Sequence, residues 1–500
     1  MALELLSPAG SPEALRAAVQ SGCGAVYLGW GSFNARRSAK NFSDEEFADA
    51  IRYCHLRGVR VFLTLNTLLT DRELPLALDA ARTACRLGVD SVLVQDWGLF
   101  ALLREALPDL PLHASTQMSV FTAGGANEVY GDGCERVVLA RECSREDTAA
   151  ICKACPAEIE IFGHGALCMC YSGQCEMSAL IGGRSGNRGA CAQPCRLPYN
   201  GKYPLSLKDN CLAGHLQELT KMGVASLKIE GRMKSADYVY AVVSTYRRLL
   251  DENRDATGEE IGRMKEVFSR SGFTDGYFTG RISNEMLGTR TKENMQESEK
   301  IRLTRTALPT ARSPYELHRV LPLTEEPYRI LKNPPPPKKK RSARFYRVSS
   351  IPENAQRELS EIYLPLDIFD GKKANGVLFP PVIPDLELPL AKEKLQKARA
   401  AGAIHALIGN IGQIALAKEL GFRLHGDYRL NVTNSSAAAF YENIFEDLIL
   451  SPELILPQVR DIGGEKSFIV YGRLPLMTLE KPLGTDFLRD RRNAVFPVLQ

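Results

Sequence analysis

Short runs dense in valine, isoleucine and leucine recur along the first 240 residues, each followed by a longer stretch with apolar residues at helical spacing. The runs are residues 3–6, 25–28, 59–65, 91–95, 112–114, 136–140, 159–162 and 226–229. Most are apolar at consecutive rather than alternate positions, which predicts parallel strands covered on both faces. The stretches between them carry helix punctuation. Ser11 followed by Pro12 supplies an N-cap with proline at the first helical position, and Gly22 stops that helix. Ser43 with Glu46 forms a capping box, Gly58 ends the second helix, and a third runs from Asp71 to Gly88. Eight strand–helix units predict an α/β fold, a (β/α)8 barrel of the TIM type. An open doubly wound sheet shares the alternation, but eight units is the number at which a barrel closes.

In such a barrel, chemistry gathers where strands end and helices begin. The residues at those junctions are polar: Ser7, Asn66, Gln95 with Asp96, Ser115 with Gln117, Arg141 with Glu142, His164, and the series Lys228, Glu230, Arg232. Each has an ordinary structural reading. Asp96 suits a helix cap, and the Lys228, Glu230, Arg232 series suits an ion network at the rim. Their convergence on one rim favours a shared pocket. In a strand, Lys228 and Glu230 point to one face and Ile229 to the other.

All 13 cysteines lie between Cys23 and Cys211. An odd number, tight clustering and no export-signal pattern at MALELLSPAG argue against a disulfide scaffold and for a reducing, cytoplasmic setting. The connection after strand seven, spanning 163–225, is far longer than an ordinary βα loop. It holds Cys168, Cys175, Cys191 and Cys195 at the spacing C-x6-C-x15-C-x3-C, among glycines that let backbone wrap closely. Four thiolates suit zinc or iron–sulfur. Zinc favours paired short knuckles, and this loop has only one close pair, so iron–sulfur is preferred. Cys170 is a substitute ligand, and Cys152 with Cys155 belongs to the helix before strand seven.

The stretch from Glu160 to Ser178 resembles the signature of the collagenase-like peptidase family U32. So do LLSPAG, AVYLG, HASTQMSV from His113, RVVLARE ending at Glu142, and LKIEGRMK from Leu227; the likeness spans roughly the first 290 residues. Better-understood members are cluster-bearing hydroxylases of transfer RNA, ribosomal RNA and quinone precursors. The resemblance therefore implies a [4Fe–4S] cluster on Cys168, Cys175, Cys191 and Cys195, and prephenate as hydroxyl source. Some quinone-pathway members use a ligand near the position of Arg232; with arginine here, the fourth ligand falls to Cys195. On this reading Glu142, His164 and Glu230 are the acid–base candidates. Arg141, Lys228 and Arg232, with Asp96 and Gln117, would hold substrate, the cations facing a dicarboxylate. The expected partners are ribosomal or transfer RNA and an electron-donor protein. The alternative is a peptidase with a structural metal site, for which Cys168 with His164 is the conceivable dyad; no G-x-S-x-G elbow or H-E-x-x-H occurs.

The remaining chain changes character. Residues 291–343 are expected to form a linker, stiff and basic at Asn333–Arg341. From 344 a second unit repeats the first: LHGDYRLNVTNSSAAAFYENIFEDLILSPE from Leu424 parallels the segment from Leu112 to Glu142. ALIGNIG from Ala406 parallels VLVQDWG from Val92, and FIVYGRLPLM from Phe468 parallels IEIFGHGALC from Ile159. Met477 stands where Cys168 does, so this copy should bind no cluster; its expected job is substrate docking or an interface with the first barrel. The net charge of +4 does not announce nucleic-acid binding. No apolar run approaches the roughly 20 residues a bilayer span needs.

Overall fold

The computed structural model describes residues 3–36, 41–290, 303–308, 312–317 and 361–499. Strands β1 (Glu4–Ala9), β2 (Ala25–Leu28), β3 (Arg60–Leu65), β4 (Ser91–Val94), β5 (Leu112–Ala114), β6 (Arg136–Val138) and β7 (Glu158–Ala166) pair in sequential parallel order. The short β8 (Asp209–Cys211) runs antiparallel to the far end of β7 and pairs with the two-residue β10 (Phe273–Thr274), and β9 (Ser226–Ile229) pairs in parallel with both β7 and β1. That last pairing closes an eight-stranded parallel barrel, the fold the alternation predicts. The caps form as read: Ser11 accepts from the Ala14 amide, and Ser43 and Glu46 make a reciprocal box.

The barrel interior is layered. Leu6, Tyr27, Phe62, Leu93, Val138 and Phe162 form an apolar plug at mid-height. Below it the interior is charged, a departure from strands apolar on both faces. Arg136 is buried among Glu4, Glu158 and Glu160, with its Nη1 2.7 Å from Glu4 and 3.0 Å from Glu160. Such a network costs desolvation and is tolerated because every charge is paired.

Two pieces of the 291–343 segment lie against the barrel. Arg305 pairs with Glu13 and Asp237, and Tyr315 bonds Asp90 at 2.9 Å. The basic stretch Asn333–Arg341 lies outside the described residues.

The second unit is an open sheet of six parallel strands in sequential order: β11 (Tyr363–Pro365), β12 (Gly376–Leu378), β13 (His405–Ile408), β14 (Arg423–Gly426), β15 (Leu448–Ile449) and β16 (Lys466–Ser467). The copied segment repeats local geometry as well as sequence. After β5 comes a 3-10 turn closed by left-handed Ser119, then a helix capped by Thr122. After β14 comes a 3-10 turn closed by left-handed Asn431, then a helix capped by Asn434. The copy of β7 is worn further: β16 covers Lys466–Ser467, and Val470 and Tyr471 beyond it are exposed. The chain then returns to the first barrel and lays Leu476, Met477 and Leu479 against the cysteine-bearing insertion.

Candidate active site at the barrel mouth

A cleft opens above the apolar plug, walled by Tyr27, Arg36, Thr64, Asn66, Ser115, Phe162, Lys228, Glu230 and Arg232. Its floor is set by strand alternation: Phe162 and Lys228 are register partners on β7 and β9, and Glu230 follows Lys228 by two residues. Lys228 reaches down to Glu160 at 2.7 Å and lies 4.6 Å from the Tyr27 ring. Glu230 meets Arg36 at 2.8 Å and Arg141 at 3.9 Å. Arg141 rests its guanidinium 4.0 Å from the Phe162 ring, and Arg232 donates to Thr64 at 3.1 Å.

The electrostatics favour an anion. Burial opposes ionisation of Glu230, but Arg36, Arg141 and Arg232 outweigh it and hold the carboxyl down to about 2. Burial and the neighbouring Arg36 pull Arg232 down to about 10. A guanidinium weakened by another guanidinium marks a site with more positive charge than its own carboxylates offset. Arg36, on the loop after β2, was not singled out from sequence. Its signal was a pair of arginines just past a strand's C-terminal end, in NARRSAK.

The other expected residues separate. Glu142 is buried beneath the insertion, accepting from the Ser172 amide at 3.2 Å and hydroxyl at 3.1 Å. Burial pushes its carboxyl up to about 7, against Arg141 and Ser172. Gln117 lies beside the insertion, donating to the Gly186 carbonyl at 3.4 Å. Asp96 is instead occupied structurally. It caps the helix Trp97–Ala106 by accepting from Leu99, and also accepts from the Leu69 amide and from Asn434 of the second unit.

His164 does not reach the cleft, and the reason is a bulge. Gly163 is an extra residue between the pairs Phe162–Lys228 and His164–Ile229, so alternation shifts and His164 takes the outward face. There its Nδ1 lies 3.3 Å from the Tyr246 hydroxyl, and burial pulls the imidazole down to about 3. A dyad of Cys168 with His164 therefore does not form.

Cys168 follows β7 directly, Cys175 precedes the short helix Met177–Gly182, and Cys195 sits in the 3-10 turn Pro194–Arg196. The four thiols sense one another. Burial raises Cys191, and Cys168 and Cys175 add to the rise. Burial pushes Cys195 up to about 12, with Arg196 opposing and the other three thiols reinforcing. Cys168 also supports the charge on Arg36, so this thiol lies near the cleft's arginine. Among the described residues no three of these sulfurs lie within 4.8 Å of one another. A zinc tetrathiolate, with Zn–S near 2.3 Å, needs sulfurs roughly 3.8 Å apart. Cys170 is buried, accepts from the Thr478 amide at 3.4 Å and shares a hydrogen bond with the Cys175 thiol, so it lies against the quartet.

Residues 10–288 match the model of peptidase family U32. A 23S rRNA 5-hydroxycytidine synthase of Escherichia coli is 41% identical over 53% of this chain and 42% of its own length. A tRNA hydroxylation protein P of Helicobacter pylori is 35% identical over 56% of this chain and 72% of its own. A collagenase of Porphyromonas gingivalis is 34% identical over 56% of this chain and 75% of its own. The chain thus spans less than half the length of the ribosomal-RNA relative.

Proposed function

Because the chain belongs to peptidase family U32, we propose that it hydroxylates an RNA base, using an iron–sulfur cluster and a dicarboxylate co-substrate of the prephenate type. The observation that carries this reading is the juxtaposition of a cation-rich cleft with four mutually close thiols at one barrel mouth. Relatives named as rRNA and tRNA hydroxylation proteins support the substrate class.

Cys168, Cys175, Cys191 and Cys195 would hold the cluster. The all-thiolate donor set suits [4Fe–4S]. When bound, the cluster would supply one-electron chemistry at the edge of the cleft, and an electron-donor protein would serve it. The chain's own residues do the rest. Arg36, Arg141 and Arg232 bind carboxylate, because planar guanidinium pairs with it in bidentate fashion. Glu230, held ionised, keeps those guanidiniums aligned toward the cleft in the absence of substrate. Glu142, poised near neutrality, is the group suited to move a proton.

The test is nucleoside mass spectrometry of ribosomal and transfer RNA from a deletion strain, complemented with wild type, Cys191→Ser or Arg36→Met. One hydroxylated nucleoside should vanish and return only with wild type. An unchanged RNA profile, with peptide cleavage by the purified protein, would instead support the peptidase reading that the collagenase relative suggests.

A further inference from the structure

We propose that the second unit carries a divalent transition-metal site of the zinc class, built from Glu361, His405 and His425 and independent of the cysteines. Ligand atoms of these three residues lie within 4.8 Å of one another. His405 opens β13 and His425 lies in β14, so adjacent strands present both rings to one face. His405 Nδ1 is 2.9 Å from His425 Nε2. Both histidines are buried, while Glu361 remains about one-fifth exposed, which leaves an entry path.

The tautomer is fixed from behind. Asp447 Oδ1 lies 2.6 Å from His425 Nδ1, so that nitrogen carries the proton and Nε2 turns its lone pair toward His405. A carboxylate behind a ligating imidazole is the usual second shell of a metal-bound histidine. Glu361 Oε2 lies 4.0 Å from His425 Nδ1 and accepts from the Tyr363 hydroxyl at 2.9 Å, which leaves Oε1 as the oxygen to ligate. The remaining nearby carboxylate, Glu446, is 4.0 Å from His425 and engaged by Arg423 at 2.6 Å. Two neutral imidazoles and Glu361 leave a divalent ion with one positive charge, which Asp447 offsets. Two nitrogens, one carboxylate oxygen and an open position form a zinc-type donor set.

The comparison between the two halves of this chain gives an independent argument. Ser91 opens β4 as His405 opens β13, and His113 pairs with Leu93 as His425 pairs with Leu407. The Glu135 amide bonds the Leu112 carbonyl as the Glu446 amide bonds that of Leu424, so Arg136 corresponds to Asp447. At equivalent places the barrel therefore has Ser91, His113 and Arg136, and the second unit has His405, His425 and Asp447. In the barrel, Ser91 and His113 share one hydrogen bond beside buried Arg136, which burial and charge make hostile to a cation. In the second unit a hydroxyl has become a second imidazole and a guanidinium has become a carboxylate. Both changes run toward metal ligation.

The experiment titrates full-length protein, purified without oxygen, with zinc(II), and in parallel with cobalt(II) as a spectroscopic probe. The variants are His405→Ser, His425→Gln, Asp447→Asn and Cys191→Ser. His405→Ser installs the residue the barrel uses at the equivalent place, so it is the variant most compatible with folding. One zinc equivalent should survive Cys191→Ser and be lost in His405→Ser and His425→Gln. Asp447→Asn should weaken it about 10–100-fold. The matching cobalt spectrum should lack thiolate-to-metal charge transfer. Zinc uptake unchanged by His405→Ser, or abolished by Cys191→Ser, would overturn the proposal and place the metal on the thiols.

Discussion

Two carboxylates on the same rim have been driven apart by their surroundings. Three guanidiniums hold Glu230 ionised, whereas burial leaves Glu142 near neutrality. The folded value for Glu142, about 7, exceeds its ordinary 4.5. Its contribution to stability is therefore complete below about pH 4.5 and lost as pH rises through about 7. Glu142→Gln removes that titration. Relative to the variant, wild type should lose on the order of 3 kcal/mol between about pH 4.5 and about pH 8. Urea melts at both pH values check this; parallel shifts in the two proteins would contradict it. The same substitution should erase a limb near pH 7 in the rate profile of the proposed hydroxylation. Arg36 offers a second residue-scale test. Arg36→Met should raise the KM for the dicarboxylate about tenfold or more, since a charge-assisted pair is worth roughly 1.5–3 kcal/mol. An unchanged KM would remove Arg36 from the binding site.

The insertion between β7 and β9 is the element on which the site depends. It is seated by close backbone approach at two glycines with positive φ. Gly173 (φ +81°) lies against the Gln117 carbonyl and Gly189 (φ +75°) against the Asn34 carbonyl; a Cβ at either would collide with backbone. Gly189→Ala should cost on the order of 1–3 kcal/mol in local order. It should lower iron content while leaving the barrel's far-ultraviolet circular dichroism unchanged. The cysteines themselves divide by position. Iron analysis should find the metal lost in Cys191→Ser and kept in Cys170→Ser, if the ligands are Cys168, Cys175, Cys191 and Cys195 and Cys170 is only the buried neighbour of Cys175 and Thr478. Loss of iron in both would make Cys170 a ligand.

Across the whole molecule the two units are joined by buried polar contacts as well as by apolar packing. Asn434 donates to both oxygens of Asp96, at 3.0 and 2.8 Å, and caps the helix Ser435–Tyr441. Trp97 stacks on Phe440 at 4.6 Å, and Asn410 donates to the Ser119 carbonyl at 2.8 Å. Asn434→Ala removes a cap and leaves a buried carboxylate short of donors, a combined cost of about 2–4 kcal/mol. The expected readout is a calorimetric transition that splits, the second unit melting first. A single transition at the wild-type temperature would mean the junction is held by packing alone. Among the described residues no helix is long and apolar enough to cross a membrane.

The barrel, its caps and the repeated segment were legible in the sequence, because each rests on local periodicity or on similarity within one segment. Alternation also placed Lys228 and Glu230 on one inward face. The same rule, applied to β7, misplaced His164: a single bulged residue at Gly163 reverses every facing after it, and a bulge leaves little trace in composition. Asp96, expected to hold substrate, takes its ordinary alternative as a helix cap, and only the tertiary structure showed Asn434, 338 residues away, engaging it. Arg36 in the cleft, the ion network around Arg136, and the meeting of Glu361, His405 and His425 were likewise decided by closure of the sheets. Local pattern fixes which face a side chain takes within its own element. Which distant charges share that face depends on register and closure, and those are properties of the assembled fold.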